Sequence, residues 1–289
     1  MTGNGRRPRL AAVDLDGTLL RSDLSLSDRT RAALELAARD GVTVVVATAR
    51  SPRSARGIAA DAGLGGVAIC ANGAILFDLA EEEIVEHHPL APDTVRRLAG
   101  ELRERLPGIV FGWEHELRFG SEPAYEARRE EGWWPRPEGS YAPCELEAWE
   151  LPVTKLIGRL PPEELEGALA LAVALAGDEA SATLTGTAFL ELMAPGVSKQ
   201  AALATLADRH GLDAADVVAF GDQVTDAGML RWAGHGVAVA NAHPVALAAA
   251  DEVTASNDED GVAVVLERLL AGAAPATRRA ARRSARTRR

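Results

Sequence analysis

The residues from Leu10 to Leu20 constrain the fold of this chain more than any other stretch. Leu10–Val13 is an apolar run that suits a buried strand, and it leads directly into Asp14, Asp16 and Gly17. Side chains two residues apart on an extended segment point the same way, so the two carboxylates should converge. Such a pair requires a divalent cation or a shared proton. An ordinary Asp-Gly turn is the simpler alternative, but it needs only one aspartate.

Apolar strands alternate with amphipathic helices in the first eighty or so residues. The predicted strands are Leu10–Val13, Val42–Ala47 and Val67–Ala71. The intervening helices end at Gly41 and Gly63, and the connections are short. This pattern predicts an α/β fold with a Rossmann-like parallel-sheet core that is covered by helices on both faces.

The pattern changes at residue 84 and resumes after residue 190, which predicts a second, mixed α/β domain inserted into the first. The predicted organisation is a core formed by 1–83 and 191–273, an inserted domain at 84–190 and a basic, disordered tail at 274–289. Aromatic residues of the insertion, such as Tyr125, Trp133 and Trp134, could line a substrate pocket, but core packing is the more common role.

Composition excludes several classes of protein. Of the 289 residues 47% are apolar and 25% charged, as in ordinary globular proteins, and no apolar run approaches the roughly 20 residues of a membrane helix. The segment Met1–Arg9 is polar with three arginines, unlike a secretory signal. Cys70 and Cys144 lack metal-ligand spacing. We therefore expect a cytoplasmic protein with reduced thiols and no membrane partner.

The charge distribution is asymmetric. The net charge is −11, although the last twelve residues contain seven arginines and no acid. An acidic body is a poor surface for nucleic acid, so no nucleic-acid partner is expected. The basic tail is interpreted as a solvated extension, and a nucleic-acid or membrane arm is the minor alternative.

Two further positions carry polar groups suited to phosphate. Thr48 and Arg50 follow the second predicted strand, where a hydroxyl can bond a phosphate oxygen beside a helix that opens at Pro52. A threonine there is usually only a helix cap. Lys199 lies at a predicted helix start and is one of two lysines against 29 arginines, which indicates that a compact positive charge is needed.

A last pair of acids follows the predicted strand Val217–Phe220. Gly221 separates this strand from Asp222, and Asp226 lies four residues further on. Carboxylate oxygens of this kind suit Mg²⁺, which prefers carboxylates, water and substrate phosphate to soft ligands. The sequence therefore predicts a magnesium site shared with the first strand end.

These groups, in this order, resemble the four motifs of the haloacid dehalogenase-like (HAD) superfamily, and the resemblance extends over nearly the whole chain. Members of its Cof-type subfamily carry an α/β cap between the second and third motifs, where this chain has its insertion. The residues that look like the Cof-type pattern are Asn72, Gly73, Ala74, Asn241, Ala242, Asp251, Asn257, Asp260, Gly261 and Val262.

The resemblance implies a role for each motif residue. Asp14 would be the nucleophile and Asp16 the general acid/base. Phosphate binding is implied for Thr48, Arg50, Asn72 and Lys199. The implied Mg²⁺ ligands are Asp14, Asp16 through its carbonyl, Asp222 and Asp226, the last of which would support either the metal or Lys199. Because hydrolysis of a carbon–halogen bond leaves no alkoxide to protonate, an acid at position 16 favours phosphoryl transfer.

Four positions depart from the family pattern. Glycine is usual where this chain has Ala49, Gln200 and Gln223, and asparagine is usual where it has Thr225. A hydroxyl replaces an amide only incompletely, which predicts a weakened metal site.

The resulting hypothesis is a Mg²⁺-dependent phosphatase that hydrolyses a small phosphorylated metabolite, most plausibly a sugar or polyol phosphate, through an aspartyl-phosphate. A phosphomutase and a non-catalytic phosphosugar-binding or regulatory protein are the alternatives. The sequence indicates no particular oligomeric state.

Overall fold

The computed structural model describes residues 7–127, 139–185 and 189–272. The strands are β1 (Leu10–Val13), β2 (Thr43–Val46), β3 (Val67–Cys70), β4 (Ile75–Asp78), β5 (Glu83–His87), β6 (Val110–His115), β7 (Arg118–Ser121), β8 (Lys155–Arg159), β9 (Ser181–Thr185), β10 (Phe189–Met193), β11 (Val217–Gly221), β12 (His235–Ala238) and β13 (Glu252–Val253). The helices are α1 (Asp28–Arg39), α2 (Pro52–Asp61), α3 (Pro92–Arg105), α4 (Pro123–Ala127), α5 (Leu165–Ala176), α6 (Lys199–Arg209), α7 (Ala227–Trp232), α8 (Pro244–Ala249) and α9 (Gly261–Leu270).

The core is a parallel sheet in the order β13-β12-β11-β1-β2. Successive residues of β1 pack into opposite layers. Ala11 and Val13 join a cluster with α1, α2 and α9, whereas Leu10 and Ala12 join a cluster with α6, α7 and α8. Because both faces are covered, β1 is apolar throughout and fully buried. The prediction of a Rossmann-like core with helices on both faces is confirmed.

An antiparallel unit of β3, β4 and β5 extends the core beyond β2. It is connected through an isolated parallel bridge between Ala47 and Ile69. Gly73 has a positive φ of 102° in the turn before β4, and a Cβ there would lie 2.4 Å from the Ser198 carbonyl oxygen. This close approach brings the turn against the start of α6, where Lys199 is located.

The inserted cap contains an antiparallel sheet in the order β7-β6-β8-β10-β9. One face packs against α3 and α5, with Phe111, Trp113 and Leu190 fully buried there. Trp149 packs on Trp113 with ring centroids 5.1 Å apart, and Tyr125 packs on Phe119 at 5.9 Å. Tyr125 therefore packs in the cap as expected, and it also lines the cavity described below, which was the alternative role considered for it. Trp133, Trp134 and the arginine-rich tail lie outside the described residues.

The strand pairing bears on where the cap begins and ends. β5 pairs with β4 of the core, and β10 pairs with β8 of the cap. We propose that the cap begins after His87 and ends after Met193, a few residues later at each end than the composition suggested. The sequence also did not predict α8 or the two-residue strand β13, which carry too few residues for a periodic pattern.

Candidate active site

Asp14 follows β1 directly, and Asp16 lies in the wide turn Leu15–Leu19, whose backbone is not helical at Asp16 and Gly17. Gly17 allows this turn because its φ is +74°. A Cβ at this position would lie 2.6 Å from Asp222 Oδ2. Only glycine therefore lets the first strand end come so close to the carboxylate that follows β11.

Lys199 lies between two carboxylates. Its Nζ donates to Asp14 Oδ1 and to Asp226 Oδ1, each at 2.7 Å. Ser198 caps α6 by accepting from Ala201 N at 3.1 Å, and this places Lys199 at the first helical position. Burial lowers the pKa of the ammonium, but the two carboxylates outweigh burial and raise it above its usual value. The side chain therefore remains a buried cation.

Asp222 is oriented by two donors. Thr18 Oγ1 donates to its Oδ1 at 2.8 Å, and Gln223 Nε2 donates to its Oδ2 at 2.6 Å. Burial raises the pKa of Asp222, and the Thr18 hydrogen bond opposes part of that rise. The carboxylate is thus fixed beside Asp14 at the carboxyl ends of β1 and β11.

Both oxygens of Asp226 are occupied by protein donors. Its Oδ1 accepts from Lys199, and its Oδ2 accepts from the backbone N–H groups of Asp222 and Gln223 at 3.0 and 2.8 Å. This fully buried carboxylate closes the loop after β11 and positions Lys199. Of the two roles open to Asp226, support of Lys199 fits these contacts better than metal ligation.

The cluster carries an excess of negative charge. Carboxylate oxygens of Asp14, Asp222 and Asp226 lie within 4.8 Å of one another, and the single cation in direct contact with them is Lys199 among the described residues. Burial raises the pKa of Asp14 well above its usual range; the Lys199 charge opposes this, whereas Asp226 and Asp222 add to it. Three carboxylates with one ammonium could hold a divalent cation.

Asp16 faces away from this cluster. Arg50 Nε and Nη2 donate to its two oxygens at 2.6 and 2.5 Å, in a two-pronged pair. Thr48 Oγ1 accepts from Arg50 N at 3.1 Å, which orients the start of this segment. Any contact of Asp16 with a metal at Asp14 would therefore use its main chain, as the resemblance implied.

The cap contributes a second group of buried charges that the sequence did not predict. Lys155 Nζ donates to Glu191 Oε1 at 2.7 Å and to the carbonyl of Ala49 at 3.1 Å. Glu191 Oε2 accepts from Asn72 Nδ2 at 3.1 Å and from Thr185 Oγ1 at 2.8 Å. The predicted phosphate-binding residue Asn72 thus contacts the cap in this structure.

Arg53 and Glu114 make a second connection between core and cap. Arg53 donates to both carboxylate oxygens of Glu114, at 3.1 and 3.2 Å, and to the Leu117 carbonyl at 3.1 Å. Burial raises the pKa of Glu114, and the Arg53 charge opposes that shift. No sequence signal marked this pair, because its members are 61 residues apart.

A cavity of about 930 Å³ lies between core and cap. Its core side includes Asp14, Asp16, Arg50, Lys199 and Thr225, and its cap side includes Phe119, Tyr125, Lys155, Ile157, Phe189 and Glu191. The structure therefore brings four of the eight predicted site residues, Asp14, Asp16, Arg50 and Lys199, to one cavity that is open to solvent. Thr48 and Asn72 lie behind it, where Asn72 N donates to the Thr48 carbonyl at 3.0 Å and both side chains are buried.

Comparison with known proteins agrees with this geometry. The haloacid dehalogenase-like hydrolase family matches residues 11–266. The chain is similar to a 5-amino-6-(5-phospho-D-ribitylamino)uracil phosphatase of Bacillus subtilis, with 29% identity over 255 residues that cover 88% of this chain and 93% of that one. It is also similar to an HMP-PP phosphatase of Yersinia pestis, with 31% identity over 249 residues that cover 82% and 85%.

A solved structure shows the same fold. A haloacid dehalogenase-like hydrolase from Bacteroides thetaiotaomicron superposes with a TM-score of 0.75 and 25% identity, covering 91% of this chain and all of that one. In the described part of the chain we find no helix with the length and apolar character needed to cross a membrane. With its family match over nearly nine-tenths of its length, the chain belongs to the haloacid dehalogenase-like hydrolases.

Proposed function

We propose that this protein is a Mg²⁺-dependent phosphatase that hydrolyses a small phosphorylated metabolite through an aspartyl-phosphate on Asp14. The observation that carries the proposal is the uncompensated cluster of Asp14, Asp222 and Asp226 around Lys199 at the carboxyl end of the parallel sheet. The two relatives described above are both named phosphatases, which supports the reaction type.

The residues present fit a magnesium ion. Asp14, Asp222 and the main-chain carbonyl of Asp16 would hold it, since Mg²⁺ prefers hard oxygen ligands and keeps positions for water and substrate phosphate. Thr18 and Gln223 already fix Asp222, so the site needs little rearrangement. A bound Mg²⁺ would neutralise charge on the phosphoryl oxygens.

Asp14 would attack phosphorus, and Lys199 makes that attack possible. A carboxylate and a phosphate dianion repel each other, so the ammonium 2.7 Å from Asp14 must offset part of the negative charge. Because Lys199 is also held by Asp226, it stays fixed while substrate binds. A rigid, buried cation costs no reorganisation when charge develops on the transferring group.

Asp16 would act as the general acid and base. It would protonate the leaving alcohol and then remove a proton from the water that cleaves the aspartyl-phosphate. Arg50 holds the side chain of Asp16 in place before substrate binds. When the phosphate reaches the site, the same guanidinium can bind its oxygens, which releases Asp16 for proton transfer. Thr48 and Asn72 would support the phosphate-binding segment from behind.

The proposed substrate is a small phosphomonoester, with a sugar or polyol phosphate as the class favoured from the sequence. Phosphate release from a panel of sugar, polyol and alkyl phosphates, with Mg²⁺ and with excess chelator, tests the proposal. We expect turnover with Mg²⁺, none with chelator and poor recovery with Ca²⁺, whose looser coordination misplaces the nucleophile. Asp16→Asn should slow turnover by about 10²- to 10⁴-fold.

Asp61→Asn is the matched control, since Asp61 is an exposed acid on α2. Full turnover in excess chelator would exclude the metal assignment. Transfer of phosphate to a second substrate molecule, without release of free phosphate, would favour the phosphomutase. Absence of turnover with stabilisation by phosphosugars would favour the binding protein.

A further inference from the structure

The cap sheet presents a face to the cavity that carries both charged and apolar residues. Residues directly opposite each other in antiparallel strands share a face, and the register pairs Glu114 with Lys155 and Gly112 with Ile157. In the same register Phe119 lies opposite Glu114, Glu191 opposite Ile157, and Phe189 opposite Arg159. Charged and apolar residues therefore alternate within the rows of this face.

Three charged side chains of this face are already satisfied by protein partners. Glu114 accepts two hydrogen bonds from Arg53, and both oxygens of Glu191 accept from side chains. Lys155 donates to Glu191 and to the Ala49 carbonyl. Because these three groups are neutralised in pairs, a ligand can contact the apolar residues beside them without breaking a buried pair.

The apolar part is an aromatic platform built over a glycine. A Cβ on Gly112 would lie 2.8 Å from Phe119 Cζ and 3.1 Å from Tyr125 Cζ, so both rings lie directly over this position. The two ring centroids are 5.9 Å apart. Ile157 packs in the same cluster, and Phe189 packs against it from β10. All four side chains line the cavity that also contains Asp14 and Lys199.

We propose that the leaving group of the substrate carries a planar aromatic or heteroaromatic ring, which binds against the platform of Phe119, Tyr125, Ile157 and Phe189. This inference rests on the proposed phosphatase function and names the part of the substrate beyond the phosphorylated carbon chain. Phe119, Tyr125 and Ile157 are largely buried, and a phosphate at Asp14 and Lys199 with a short polar chain would leave their cavity-facing edges and Phe189 in contact with water in a cavity of about 930 Å³. A ring at the far end of that chain buries the platform from water.

The test compares esters that differ only in the ring. We would measure kcat/KM with Mg²⁺ for 3-phenylpropyl phosphate and propyl phosphate, which have the same charge and similar leaving alcohols, and for ribitol 5-phosphate. We expect the phenylpropyl ester to exceed the other two by about 10- to 100-fold, chiefly through KM. A wild-type ratio near one would overturn the proposal while the phosphatase function stands.

Two variants locate the effect. Phe119→Ala and Ile157→Ala should each reduce the phenylpropyl-to-propyl ratio to a few-fold, because each removes apolar area from the platform. Val173→Ala, an exposed position on α5, should keep the wild-type ratio. If Phe119→Ala does not fold, as judged by its melting temperature, Ile157→Ala decides. An unchanged ratio in Ile157→Ala would place the ring elsewhere and overturn the proposal.

A binding measurement separates failure of this inference from failure of the proposed function. If no phosphate ester is turned over, thermal stabilisation by 3-phenylpropylphosphonate and by propylphosphonate still compares the same two groups. Stronger stabilisation by the phenylpropyl compound supports the ring-binding platform without catalysis. Equal stabilisation by the two compounds overturns it.

Discussion

The catalytic end of the core sheet and the facing surface of the cap both bury charged side chains, but they balance them differently. In the core, Asp14 and Asp226 share Lys199, and the carboxylate of Asp222 lies beside them. On the cap, Glu114 is paired with Arg53 and Glu191 with Lys155. The core site therefore has an excess of negative charge, whereas each of these two cap carboxylates has its own cation.

This difference separates two uses of buried charge. Like charges held close together destabilise the folded state, so they persist where a ligand completes them, such as a cation and a phosphate. Buried pairs that are complete leave no charge for a ligand and instead fix geometry, and breaking one is strongly destabilising. We therefore expect substitutions in the core cluster to change activity and substitutions in the cap pairs to change stability.

The largest effect is expected for Asp14→Asn. Turnover should fall by more than about 10⁴-fold because the proposed nucleophile is lost, while the metal-free protein should keep or raise its melting temperature because one of three repelling carboxylates is neutralised. Phosphate release and thermal melting in chelator measure the two quantities. Asp61→Asn controls for loss of an exposed acid. A marked loss of stability in Asp14→Asn would contradict the contrast drawn above.

The opposite result is expected for Glu191→Gln. Its side chain is 4% exposed and loses the charge that compensates Lys155, so unfolding free energy should fall by about 3 kcal/mol. Urea denaturation followed by tryptophan fluorescence reports on the cap, because Trp113 and Trp149 lie in its core. Glu163→Gln, on the cap surface, is the control.

A double substitution sharpens this test. Lys155→Met with Glu191→Leu removes both charges and replaces them with apolar side chains, so much of the stability should return. If the double variant is as unstable as Glu191→Gln, the hydrogen bonds to Asn72, Thr185 and Ala49 carry the stability instead of the charge balance.

The two regions also differ in how far the sequence predicts them. Asp14 and Asp222 follow predicted strands, and carboxyl ends of parallel strands meet at one edge, so local patterns were sufficient to bring them together. Asp16 was expected to converge with Asp14 but pairs with Arg50 instead. Lys199 was found from its helix start and the rarity of lysine in the chain. The core site was therefore predictable, because residues that follow the strands of a parallel sheet lie at the same edge of that sheet.

No comparable rule predicts the buried ion pairs of the cap. Lys155 reaches a carbonyl 106 residues away, and Asn72 contacts Glu191 across 119 residues. Spacing in sequence carries no information about these contacts, which depend on how cap and core pack together. The sequence likewise gives no sign that Gly112 is special among strand glycines. Its role follows from the rings of Phe119 and Tyr125, which leave no room for a Cβ at this position.

A smaller effect is expected on the affinity of the core cluster for Mg²⁺. Thr225 lines the cavity beside Gln223, which donates to Asp222. An asparagine at 225 would offer a donor and an acceptor in place of one hydroxyl, so Thr225→Asn should lower the Mg²⁺ concentration for half-maximal activity by up to about tenfold. Mg²⁺ titration by calorimetry provides a second readout. Thr205→Asn on the exposed face of α6 should leave both values unchanged.

The smallest effect concerns a third cluster, in which one carboxylate accepts from two side chains. Glu252 accepts from His235 at 2.9 Å and from Arg268 at 2.6 Å. Burial alone would raise its pKa, but these hydrogen bonds outweigh burial and lower the pKa of Glu252 to about 2. Because the folded-state pKa lies below the usual value, the ionised carboxylate stabilises the protein above about pH 4.5, and this contribution is lost as pH falls toward 2.

Glu252→Gln should therefore lower the unfolding free energy by about 1–2 kcal/mol at pH 7, after allowance for partial solvent screening. The difference from the wild type should shrink steadily between pH 5 and pH 2 in urea denaturation followed at each pH, because the wild-type carboxylate becomes protonated over that range. Glu150→Gln, at an exposed position, should follow the wild-type curve. A difference that stays constant over this pH range would show that the shape of Glu252, and not its charge, supports β12 and α9.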